Sequence, residues 1–228
     1  MSKIAKPLTI IVIAILVAGG AALYMSKQSA EALETPSAVG GSSPTSARPA
    51  VAIPNGGGHL RGPQDAPVKL IEFGDYQCPS CGYYAPLVLE VLRRFPNQLQ
   101  LEFHHYPLIN LHQWAMTAAL ATESAGDQGK FWEMHDLIYQ EQAKWSKSTN
   151  AESDFVAFAG QLGLNVNKFM QSMRSPEVQQ RVLQDVVRAR DAEVNETPTF
   201  FINGKKVLNK PANADDFSRL IQDALPKK

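Results

Sequence analysis

Two cysteines, Cys78 and Cys81, are all that the 228 residues contain. So few thiols exclude a disulfide-rich scaffold and a four-thiolate zinc site. Lys+Arg and Asp+Glu number 22 each, leaving no formal net charge, and no basic run interrupts the chain. That balance argues against a nucleic-acid partner, whose phosphates require a clustered positive face.

What the chain does have is a cysteine pair with two residues between, Cys78-Pro79-Ser80-Cys81. The residues before it, Val68 to Phe73, alternate and are rich in branched and aromatic types, which predicts a strand. After it, Gly82 to Phe95 is apolar at helical spacing (Tyr84, Leu87, Val88, Val91, Leu92), which predicts a helix. The pair is therefore expected where a strand runs into the first turn of a helix. Unpaired amides and the positive end of the helix dipole favour a thiolate there, and a weakly acidic thiol so placed becomes a nucleophile at neutral pH. A Cys2His2 zinc site with His104 and His105 is the alternative. Those two are adjacent on a predicted strand, so their side chains point to opposite faces. A structural disulfide closing so short a loop would constrain the unfolded chain little.

Lys3 and Lys6 precede an apolar run, Leu8 to Met25, followed by Ser26-Lys27-Gln28. That length just spans a bilayer as a helix. The expectation is a transmembrane anchor over residues 8–25 with residues 1–7 on the cytoplasmic side. The competing reading is a cleaved signal peptide with its core at Leu8 to Val17 and Ala30-Glu31-Ala32 as the cleavage site. Either one exports the rest of the chain, to the outer face of the cytoplasmic (inner) membrane or free into the periplasm, where disulfides persist. Residues 26–62, rich in Pro, Ser, Gly and Ala, read as a flexible tether with a typical reach of ~30 Å. His59 falls in it as a solvated linker residue. Residues 63–228 are enough for one domain with a core of its own.

Within that domain, Leu99 to Tyr106 reads as a second strand, ended by Pro107. Helices follow over His112 to Ser124, Lys130 to Gln142, Ser153 to Leu162, from the cap Asn165 to Met173, and from Ser175-Pro176-Glu177 to about Glu193. His112 and His135 lie on these helices and read as capping or surface residues. Thr199 to Val207 reads as two short strands around Asn203-Gly204, the strongest short hairpin signal. A last helix ends at Leu225. The predicted class is α/β, with a helical block at about 109–192 inserted into a small sheet.

Three motifs in order, Gly62-Pro-Gln-Asp-Ala-Pro-Val68, Glu72-Phe73-x-Asp75-Tyr76-x-Cys78-Pro79-x-Cys81 and Thr197-Pro198-Thr199-Phe200, resemble the DsbA-type thiol-disulfide oxidoreductases. The likeness is closest to the membrane-anchored or signal-bearing branch of that family. It implies a thioredoxin fold with an inserted helical subdomain. It also implies that Cys78 is the attacking thiol, Cys81 the buried resolving thiol, and Thr197-Pro198 a cis-proline loop facing them. There a backbone amide and carbonyl are left for a substrate strand, and Tyr76, Pro79 and Ser80 complete the substrate-facing surface. Glu72 matches an acid that the family often buries near the resolving cysteine, although an edge-exposed glutamate is the plainer reading. Pro86 matches a proline inside the active-site helix.

The resemblance implies no cofactor beyond the redox-active disulfide. It implies cysteine-containing exported proteins as substrates, a monomer, and a membrane redox partner of DsbB type, or of DsbD type if electrons flow the other way. Oxidase is the leading expectation and reductase the runner-up. A tethered binding or metal-delivery module is the alternative of another class. Two departures weaken the oxidase: Pro-Ser replaces the Pro-His of strong oxidants between the cysteines, and Glu196 stands where relatives have glycine, threatening the Cys78 thiolate if it points that way.

Overall fold

The alternating segment before the cysteines becomes the middle strand of a five-stranded sheet. In this computed structural model, which describes residues 56–227, β2 (Val68–Gly74) pairs parallel with β3 (Leu99–His105) and antiparallel with β4 (Thr199–Ile202). β1 (His59–Arg61) adds antiparallel to β3, and β5 (Lys205–Lys206) to β4, giving the order β1-β3-β2-β4-β5. The parallel β2–β3 pair needs a crossover, and α1 (Pro79–Arg94) supplies it. Asn203 and Gly204 both take positive φ, 46° and 78°, as a two-residue hairpin with the sheet's twist requires.

Alternation along β2 sorts the two faces of the sheet. Val68 and Leu70 pack with Leu101 and Phe200 against Tyr84, Val88 and Val91 of α1 and against Phe217 and Ile221 of α8 (Ala214–Ala224). Ile71, Phe73 and Phe201 face Ala189, Ala192 and Val194 at the end of α7 (Pro176–Asp191). Glu72, in phase with Val68 and Leu70, is thereby aimed at the α1 side.

The helical insertion comprises α2 (Ala115–Gly126), α3 (Phe131–Gln140), α4 (Gln142–Trp145), α5 (Ala151–Gln161) and α6 (Val166–Met173). Its core gathers Phe131, Met134, Ile138, Trp145, Phe155 and Phe169 around Tyr76, Cys81 and Phe103. Asn150, Asn165 and Ser175 cap α5, α6 and α7 by accepting from the backbone N–H three residues on.

Some expectations are corrected. The stretch taken as tether is structured from His59, because β1 satisfies the outer edge of β3. The helix expected from His112 starts at Ala115, because the His112 ring is drawn aside to Asp75 at 2.7 Å. α7 leaves the insertion to cover the second sheet face. The anchor and most of the tether, up to residue 55, lie outside the described residues. Among the described residues no helix is long and apolar enough to cross a membrane.

Candidate active site

Cys78 occupies the N-cap of α1 with extended backbone (φ −67°, ψ 121°), and Pro79 follows as the first helical residue, a position where its missing N–H costs nothing. The Cys78 N–H donates to Asp75 O at 3.1 Å, which turns the loop so that the sulfur meets the helix start. Its thiol lies 3.5 Å from the Thr197 carbonyl oxygen. The Thr197–Pro198 bond is cis, and both residues are buried.

The Cys78 thiol is held at about 5 instead of its ordinary 9. The Cys81 thiol donating to it is the largest cause. Burial opposes, while Thr197 and the backbone N–H groups of Cys81 and Ser80 add to the lowering. The Thr197 hydroxyl is buried and has no other partner among the described residues, so the Cys78 thiolate is its natural acceptor. Cys81 is fully buried, and burial first, then the neighbouring Cys78, push its thiol well above the usual range. The Asp75 N–H donates to its sulfur at 3.4 Å. Both cysteines are free thiols here.

Glu72 is 2% exposed and burial raises its carboxyl to about 8, so it carries a proton at neutral pH. Its Oε1 has no hydrogen-bond partner among the described residues, and its charge, when present, is felt by Cys81. The exposed reading of Glu72 is therefore overturned. Pro79 is exposed and Ser80 half-buried at the helix tip.

Tyr76, expected on the substrate-facing surface, is 1% exposed and packs its ring on Phe103, His105, His135 and Tyr139. The loop turns it into the core shared with the helical insertion, away from the surface. The Glu196 carboxylate, exposed, is engaged by Lys210 at 3.0 Å. His104 and His105 do point to opposite faces. His104 meets Asp185 at 2.8 Å and Glu102 at 3.1 Å, while His105 meets Glu123 at 3.1 Å. Neither touches a cysteine.

Three supporting residues had no structural role expected of them from the sequence, although Asp75 stands within the cysteine motif. The buried Asp75 carboxylate accepts from the Gln77 and Leu108 N–H groups at 2.8 and 2.9 Å, and meets the His112 ring. Gln142 at the start of α4 donates through Nε2 to Tyr76 O and Cys78 O, at 2.7 and 2.9 Å. Gln77 accepts from Trp114 N–H at 2.7 Å and donates to Ser146 O at 3.3 Å. The insertion thus grips the loop that presents Cys78.

A family model described as thioredoxin matches residues 54–223. The Na(+)/H(+) antiporter NhaA 1 of Salinispora arenicola is 40% identical over 148 residues, 65% of this chain and 22% of that protein. The Na(+)/H(+) antiporter NhaA of Herminiimonas arsenicoxydans is 31% identical over 149 residues, 65% of this chain and 23% of that protein. The chain spans under a quarter of the length of these curated relatives. BdbD from Bacillus subtilis, in its oxidised crystal form, superposes with a TM-score of 0.66 at 22% identity, covering 74% of this chain and 92% of that one. The thiol-disulfide exchange protein alpha-DsbA2 from Wolbachia pipientis gives 0.62 at 17%, covering 75% and 88%. From the thiol pair at the helix start, the sheet beneath it and the family match over most of its length, the chain belongs to the thioredoxin family and has the fold of the DsbA-type proteins.

Proposed function

We propose that the domain is a protein dithiol-disulfide oxidoreductase that introduces disulfides into exported proteins. The observation that carries this is the Cys78 thiol held at about 5 at the start of α1, beside the Thr197 carbonyl. A thiolate so stable makes the reduced enzyme favourable and makes Cys78 a good leaving group. In the oxidised enzyme a substrate thiolate attacks the Cys78 sulfur of the Cys78–Cys81 bond. The mixed disulfide forms on Cys78, and Cys81 leaves as a thiolate. Buried and poorly tolerant of charge, Cys81 takes up a proton, for which the neutral Glu72 carboxyl is the nearby donor. A second substrate thiolate then attacks the substrate sulfur of the mixed disulfide and expels Cys78 as its thiolate. The substrate has lost two electrons and the enzyme holds them as a dithiol. A membrane oxidase of DsbB type accepts those electrons and restores the disulfide.

Pro79, Ser80, Thr197 and Pro198 line the approach to Cys78. The substrate strand lies along the Thr197–Pro198 backbone. The domain works as a monomer on the outer side of the cytoplasmic membrane, anchored through Leu8 to Met25, and the resemblance of a long antiporter's segment to this chain fits work beside a membrane.

The test is the reduction potential of the pair, on the full chain equilibrated with glutathione buffers. Above about −150 mV the oxidase stands; below about −230 mV the same residues run in reverse as a reductase supplied by a DsbD-type partner.

A further inference from the structure

Away from the thiols, His59 of β1, His105 at the end of β3 and Glu123 of α2 converge. His59 Nε2 and His105 Nε2 lie 2.7 and 3.1 Å from the same oxygen, Glu123 Oε1. One donor atom from each residue lies within 4.8 Å of the others. In a tetrahedral zinc site with bonds of about 2.0–2.1 Å, neighbouring donors stand roughly 3.3 Å apart. To match, the His105–Glu123 separation opens by about 0.2 Å and the His59–Glu123 separation by about 0.6 Å.

We propose that His59, His105 and Glu123 form a binding site for a divalent transition-metal ion of the zinc class, with the fourth position open to solvent.

The donors are held in place before any ion arrives. His59 stacks on Phe131 with ring centroids 3.4 Å apart and planes 10° from parallel. The His105 ring is fixed edge-on by Phe103 and Phe131, at 5.4 and 5.8 Å. The Arg181 Nε–H donates to Glu123 Oε2 at 2.6 Å, and a second Arg181 nitrogen donates to Asp127 at 2.7 Å. This pins one carboxylate oxygen and leaves Oε1 to the histidines, as ligating carboxylates are oriented by outer hydrogen bonds. Two imidazoles and one carboxylate suit zinc, cobalt, nickel or copper; calcium and magnesium take oxygen donors. A cavity of about 400 Å³ lined by His59, Glu123, Asp127, Arg181 and Asp185 opens over the cluster, with room for a water as fourth ligand. The ion would staple β1, where the chain enters the domain, onto β3 and α2.

The experiment uses the untagged full chain, oxidised so that the cysteines cannot hold metal, stripped with chelator and titrated with Zn2+ by calorimetry and with Co2+ by visible absorption. One equivalent per chain is expected, with Co2+ ligand-field bands, and a Tm raised by Zn2+. His59→Ala and the isosteric Glu123→Gln should each weaken binding at least tenfold and abolish the Zn2+-dependent rise in Tm; Glu123→Gln decides alone if His59→Ala does not fold. Cys78→Ser/Cys81→Ser should bind as the parent does, which keeps the outcome independent of the redox reading. No zinc bound at micromolar concentration, binding unchanged in both site variants, or binding lost with the cysteines would each overturn the proposal.

Discussion

Two buried titratable side chains a few residues apart are driven in opposite directions. Cys78, at a helix start, is stabilised as an anion, while Glu72, in an apolar layer, is stabilised as a neutral acid. Their effects on stability have opposite signs with pH. The Glu72 carboxyl sits at about 8 in the folded protein against an ordinary 4.5. Its stabilising contribution is complete below 4.5, because both states are then protonated. Between 4.5 and 8 the unfolded chain ionises alone, so stability falls by about 1.4 kcal/mol per pH unit. For Cys78 in the reduced protein, stability is present above the unfolded value of 9 and lost as pH falls through about 5. Glu72→Gln in the oxidised protein should therefore gain a few kcal/mol over the parent at pH 8 and much less at pH 5. Urea unfolding at the two pH values checks this; an equal difference at both would mean that Glu72 is ionised in the folded state. The placement of the cysteines at a strand-to-helix turn was legible from local pattern. The buried Glu72 and the cis Thr197–Pro198 loop were expected only through the family resemblance, since the residues alone left an exposed glutamate and an ordinary strand-entry proline open. Tyr76 was misread because a loop residue has no periodicity to say which way it faces.

Among the elements, the contact that matters most for the site is between α1 and α4. Gln142 reaches across to two carbonyls of the active-site loop, and Gly82 is what lets it come so close. A Cβ at Gly82 would run into the Gln142 amide. Gln142→Ala should cost about 1–2 kcal/mol, the net worth of two hydrogen bonds, and should broaden the environment of Cys78. Chemical denaturation of the oxidised variant measures the first, and the alkylation rate of Cys78 in the reduced variant the second. Unchanged stability would mean that water replaces Gln142 without loss. The strongly periodic helices were predicted nearly to their ends, and the caps Asn165 and Ser175 stand where expected. Gln142 and the Asp75–His112 pair were not foreseen, since each joins residues more than 30 positions apart and neither leaves a mark on local pattern.

At the scale of the whole domain, the sheet and the insertion are also joined at the chain's point of entry. Arg61 of β1 binds Asp136 of α3 through two nitrogens at 2.9 and 3.0 Å and lies over the Trp132 ring, 5.2 Å from its centroid. A three-residue strand is too short for alternation to reveal, and glycines before it disguised it as tether. Removing residues 1–61 should lower Tm by several degrees relative to removing residues 1–55, through loss of the His59 stack, the Arg61 pair and the edge pairing on β3. Thermal unfolding of the two truncated chains makes the comparison. Equal Tm values would return β1 to the tether.

The two outer strands have a consequence of another kind. A sheet edge offers a row of unpaired amides and carbonyls on which any extended chain can add itself. Here one edge is only three residues long and the other is two consecutive lysines, Lys205 and Lys206. A domain acting on unfolded polypeptides, as proposed above, would be poorly templated for accretion along its flanks. Under that reading a strand-like client would find its one productive berth at the Thr197–Pro198 loop, with edge-on association disfavoured by geometry and charge.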